Sequence, residues 1–160
     1  MNATNATSLL NHLEAYTAEE VAAKRRVLAL LERQGAGVAA NDPATFEAAA
    51  RSMEAELAGN VERSRRRERI LGALSELWRV PAEAMTLASI AERAGTESAR
   101  LRDLRSELRG LVADVLRENR RLAALIGMHR RVTRDVIETV LYEGHGTARD
   151  GSGGLLNAEA

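Results

Sequence analysis

Three histidines, His12, His129 and His145, are the side chains best suited to proton transfer or metal binding near neutral pH, and they lie far apart along the chain. None falls in an HExxH or comparable ligand spacing. His129 stands between Leu125 and Val132 on an apolar stripe, where it reads as a half-covered seam residue rather than a base. His145 lies in a glycine-rich stretch, a poor place to hold a positioned group. Cysteine is absent, which excludes thiol catalysis, thiolate metal sites and disulfides. Gly151, Gly153 and Gly154 lack the flanking strand and helix of a phosphate-binding loop. Carboxylates are plentiful but alternate with arginine, as in Arg117-Glu118 and Arg134-Asp135, the pattern of solvated helix faces with weak ion pairs. These residues point away from an enzyme and imply no cofactor or metal.

Two segments hint at nucleic acid. Residues 63–69 contain five arginines, but a helix turns them in several directions, and Glu62 and Glu68 dilute them. Residues 86–105 look like a DNA-binding helix-turn-helix, with Ile90, Ala91, Gly95, Leu101 and Leu104 at positions that take small or apolar groups. Thr96 departs from that pattern, and the would-be recognition helix continues for more than thirty residues. Lys+Arg and Asp+Glu both number 23, so the net charge is zero, and the positive excess that binds phosphate backbones is missing. A DNA-binding regulator is retained as an alternative, with no nucleic-acid partner expected.

The elements that carry these residues are helical throughout. Composition is 45% hydrophobic but only 2% aromatic, and Ala, Glu, Leu and Arg dominate, as in coiled coils and long helices. Residues 96–142 contain no proline, and glycine only at Gly110 and Gly127. Through them Leu101, Leu104, Leu108, Leu111, Val115, Leu122, Leu125, Val132 and Val136 recur in steps of three and four, with gaps of seven after Val115 and Leu125. That spacing lays a single stripe along a helix roughly 70 Å long. Beyond Asn119 the stripe broadens to include Ile126, Met128, Ile137, Val140 and Leu141, wide enough to meet more than one neighbour.

Upstream, a first helix is expected from about residue 8 to 34, weakened at Gly35 and Gly37. Asp42-Pro43 restarts the chain, aspartate as cap and proline at the first helical position. A second helix then carries a heptad seam from Phe46 to Trp78, interrupted by the polar Asn60, Ser64 and Arg67. Val80-Pro81 ends it, a short helix spans residues 82–93, and Gly95 with Thr96 separates that helix from the long one. The expected architecture is all-α: an elongated antiparallel bundle of three long helices and one short one. Residues 1–8 read as a flexible N-terminus, 9–143 as the helical domain, and 144–160 as a disordered glycine-rich tail. No apolar run reaches the length of a membrane span, and the N-terminus lacks signal-peptide features. A cytoplasmic protein with no membrane partner is expected.

In order, the chain shows Leu28-Ala-Leu-Leu-Glu-Arg-Gln34, Asn41-Asp-Pro-Ala-Thr-Phe46, Leu71-Gly72-Ala-Leu74, Met85-Thr-Leu-Ala-Ser-Ile-Ala91 and Leu116-Arg-Glu-Asn119-Arg-Arg-Leu122. In this order it resembles FlgN-type flagellar export chaperones over residues 9–142. The resemblance implies a cytoplasmic type III export chaperone that holds the helical end of hook–filament junction proteins and delivers them to the flagellar export apparatus. Carried onto this chain, the partner-binding face is Leu122, Leu125, Ile126, His129, Val132, Val136 and Val140. Tyr142 becomes a second contact, at the export gate. The remaining alternative is a structural coiled coil that closes the same face as a homodimer.

Overall fold

The computed structural model describes the backbone of residues 3–150 and, within it, the side chains of residues 5–95 and 98–142. The chain is an all-α helical bundle. Its helices are α1 (Ala3–Ala39), α2 (Pro43–Ala58), α3 (Asn60–Trp78), α4 (Leu87–Ala94) and α5 (Ala99–Asp150), with short 3-10 turns at Ala82–Ala84 and Gly95–Ser98. No strand occurs among the described residues. The chain divides into two compact units, one ending at Leu122 and the other beginning at Ala123.

In the first unit, α1 and α2 form a tight antiparallel hairpin. Asn41 takes a left-handed conformation (φ 52°) in the turn. Asp42 then caps α2 by accepting from the Thr45 amide at 3.1 Å and the Thr45 hydroxyl at 2.6 Å. α1 neither starts at residue 8 nor stops at 34. It begins at Ala3, inside the segment read as a flexible N-terminus, and passes through Gly35 and Gly37. The second helix is also corrected: it breaks at Gly59 into α2 and α3. Asn60, the first polar residue of the seam, sits at that break.

The pairs Gly37–Phe46, Arg26–Glu56 and Glu19–Arg66 show α1 running antiparallel to α2 and α3 in succession. α3 ends in a left-handed Arg79 (φ 53°), with the Val80 amide donating back to the Ser75 carbonyl. Thr86 and Ser89 form a reciprocal capping box that starts α4, later than the residue 82 expected. α5 likewise starts at Ala99, three residues beyond the Thr96 anticipated as its cap.

The core packs Leu10, Leu13 and Tyr16 of α1 against Ile70 and Leu74 of α3, with Met85, Ile90, Ala91 and Leu101 closing it. Leu13, Leu74, Ile90 and Leu101 are fully buried. Mostly aliphatic side chains suffice because the helices enclose a narrow interior; burying each contributes about 1.5–3 kcal/mol. Leu101 in this cluster and the Arg25–Glu107 ion pair set the start of α5 in the same direction as α1.

Midway along the hairpin the interior turns polar. Arg63 lies with its Nε 2.9 Å from Glu20 of α1 and its guanidinium 3.3 Å from Glu56 of α2. It also donates to Asn60 Oδ1 at 2.5 Å and to the Glu56 carbonyl at 3.2 Å. The Nε–Glu20 approach is an ion pair without hydrogen-bond alignment, so that buried N–H lacks an acceptor. The sequence spacing places Ser64 and Arg67 in the seam. The break at Gly59 turns α3 so that Ser64 and Arg67 face solvent and Arg63 faces inward.

Candidate functional site

α5 carries the predicted partner face, and its residues divide sharply by burial. On the first part of the helix Leu101 is buried, and Leu104, Leu108, Leu111 and Val115 are half-buried at intervals of three and four. This is the seam that the spacing predicts. Leu122 continues it and is 6% exposed. It is therefore a core residue of the first unit and has no surface to offer a partner, a correction to the predicted face. Leu125 and Ile126 are half-buried.

In the second unit, all described residues from Gly127 to residue 142 are exposed. Val132 and Val136 are each 56% exposed and Val140 62%; Met128, Ile137 and Leu141 are comparable, and Tyr142 reaches 85%. Val132, Asp135, Val136, Thr139 and Val140 line one shallow groove. The five large apolar residues among positions 128–140 form an exposed stripe that a lone soluble helix has no reason to keep. Two threonines refine it. Thr133 donates its hydroxyl to the His129 carbonyl at 3.0 Å, and Thr139 to the Asp135 carbonyl at 2.8 Å. Each hydroxyl is thus satisfied within the helix.

This stripe is a poor helix former on its own. Six of the nine positions from 132 to 140 are β-branched, each about 0.5 kcal/mol less favourable than alanine in a helix. An isolated helix in water is marginal even with good formers.

His12 and His129 are both exposed, and His145 lies outside the described side chains. No group of three or more His, Asp or Glu side chains able to hold a metal occurs among the described residues. Of the arginines in residues 63–69, Arg63 is held by Glu20 and Glu56, Arg66 by Glu19, and Arg69 by Glu62. The helix-turn-helix segment buries Ile90, Ala91, Ser98 and Leu101. Its exposed Arg102 and Arg105, with Arg109 just beyond it, share one side of α5, and Arg100, Asp103 and Glu107 lie on the other; three arginines fall short of the roughly 6–10 phosphate contacts of a strong nucleic-acid binder. No helix among the described residues is long and apolar enough to cross a membrane.

No protein-family model matches the chain, and neither a curated protein nor a solved structure matches it significantly.

Proposed function

We propose that this protein is a binding module whose last helix docks an amphipathic helix of a second protein through Val132, Val136 and Val140. Leu125, Ile126 and His129 extend that face toward the N-terminal side. The observation that carries the reading is the run of exposed aliphatic side chains on α5, each more than half exposed. Apolar contacts of this size reward burial by about 1.5–3 kcal/mol per side chain, and a helix laid along a helix is the ordinary way to cover such a stripe.

Within that class, the order of motifs described above favours a flagellar type III export chaperone. The client is the helical end of a hook–filament junction protein, and the work is done in the cytoplasm before delivery to the export apparatus. Tyr142, the most exposed of the large residues, is assigned to the delivery step.

The test is capture of hook–filament junction protein termini by the purified chain. Val132→Asp combined with Val136→Asp is expected to abolish capture while circular dichroism of the bundle is retained. Capture of the same termini by the double variant at undiminished affinity refutes the assignment of the face.

A further inference from the structure

We propose that in the absence of a client the exposed face of α5 is covered by a second copy of this chain, in antiparallel register. The inference rests on the reading of that face as a docking surface and names its resting occupant.

Area sets the kind of assembly. Met128, Val132, Val136 and Val140, which share the groove side of α5 by its 3.6-residue period, are each more than half exposed. At about 100 Å² apiece they offer on the order of 400 Å² per copy. Two copies then bury roughly 800 Å², below the ~1,000 Å² of a stable specific interface and in the range of weak, transient pairs. The pair is accordingly weak and exchangeable, suited to displacement by a client.

Register follows from residue types. With the two-fold axis level with Arg134, Val132 of one copy lies level with Val136 of the other, Met128 with Val140, and His129 with Thr139. These four apolar levels meet one another, and the single imidazole meets the Thr139 level. Charge agrees with this arrangement. Asp135 borders the groove, and an antiparallel partner brings Arg131 within two residues of its level, or about 3 Å along the axis. The contact occurs twice by symmetry. A parallel, in-register pair instead sets each His129 beside His129 and each Arg131 level with Arg131, with no such exchange of opposite charges. The other charged groups of this stretch, Arg130, Arg134 and Glu138, lie toward the back of the helix by its 3.6-residue period.

The absence of native cysteine makes the test direct. Sedimentation of the isolated full-length chain is expected to show an average mass that falls from two chains toward one on dilution. Val136→Asp is expected to hold it at one chain throughout, with unchanged helicity. The register is read by diamide oxidation of single-cysteine variants at concentrations where the dimer forms. A mixture of Val132→Cys and Val136→Cys chains is expected to give the mixed disulfide, while each variant alone gives little. In the antiparallel pair, like positions are four residues apart along the axis, and with the separation between helices they exceed the ~7 Å Cα reach of a disulfide. Efficient self-crosslinking of either variant alone overturns the antiparallel register. A chain that remains monomeric at every concentration overturns the self-pairing altogether; if that monomer still captures a client helix, the docking reading survives without it.

Discussion

Gly37 of α1 lies so close to the first turn of α2 that a Cβ in its place would come within 2.8 Å of the Phe46 backbone nitrogen and 3.1 Å of the Asp42 carbonyl oxygen. Both contacts are backbone atoms at a capped helix start, so neither can swing aside. Gly37→Ala gains up to about 1 kcal/mol of helix propensity but forces the hairpin apart, at about 1–3 kcal/mol. The expected net result is a loss of about 1–2 kcal/mol, read as a lower urea midpoint. A stabilised variant would show that the two helices separate freely at this point.

Arg63 holds together carboxylates from two other helices. Its side chain is 20% exposed, and those of Glu20 and Glu56 are 14% and 13%. Arg63→Met keeps the apolar stem but removes the cation between them, leaving Lys24 for Glu20 and Arg26 for Glu56. We expect a destabilisation of about 2 kcal/mol, the usual scale for stranding hydrogen-bonded charges. Equal stability by urea unfolding would mean that this polar layer serves register alone, a role documented for polar residues in helix seams.

The same layer makes stability sensitive to acid. Hydrogen bonds from Arg26 hold the Glu56 carboxyl below its ordinary value of 4.5, with the charges of Arg26, Arg63 and Lys24 adding to the effect against burial. Asp42 is held below 3.8 in the same direction, by the Thr45 hydroxyl and then the Thr45 amide. A carboxyl with a depressed folded-state pKa binds fewer protons than in the unfolded chain, so its contribution is present above the ordinary value and is lost as pH falls through the folded one. Thermal midpoints should decline as pH drops below 4.5. Glu56→Gln should be less stable at neutral pH and show a shallower decline; an unaltered slope in this variant would remove Glu56 from the explanation.

Leu122 and Val136 occupy the same stripe but should behave oppositely on truncation. Leu122→Ala opens a cavity in the first unit and is expected to cost about 2–4 kcal/mol. Val136→Ala, made at an exposed position and measured in dilute protein, is expected to change stability by no more than about 0.5 kcal/mol, because alanine also favours the helix. Comparable losses at both sites would place Val136 inside a packed interior.

Thr86 and Ser89 exchange hydrogen bonds at 3.1 and 3.0 Å at the start of α4. Thr86→Ala removes one member of this pair and is expected to cost about 1 kcal/mol. The eight residues of α4 carry the buried Ile90 and Ala91, so the loss should appear as global destabilisation in urea rather than local fraying by hydrogen exchange.

Some of this was readable from residue order. Asp42-Pro43 announced a capped helix, Val80-Pro81 an end, and the three–four spacing of leucines a long final helix, since each signal acts through bonds within a few residues. Gly37 reads only as weakening the helix, because a missing side chain looks the same whether it frees the backbone or admits a neighbour. Ser64 and Arg67 fell in the extrapolated seam yet are exposed, while Arg63, outside it, is half-buried. The break at Gly59 ends one stripe and starts another, and a period counted across it carries the wrong phase.

What residue order alone determined is the helical character, the places where the chain turns, and the existence of one stripe running through α5. Those depend on local propensity, capping and the 3.6-residue turn. Which members of the stripe are covered was decided only by tertiary structure. Leucine at 122 and valine at 136 present the same kind of apolar surface to a one-dimensional reading. Burial depends on whether another helix lies against that turn, and the spacing of a single helix carries no record of where its neighbours stop.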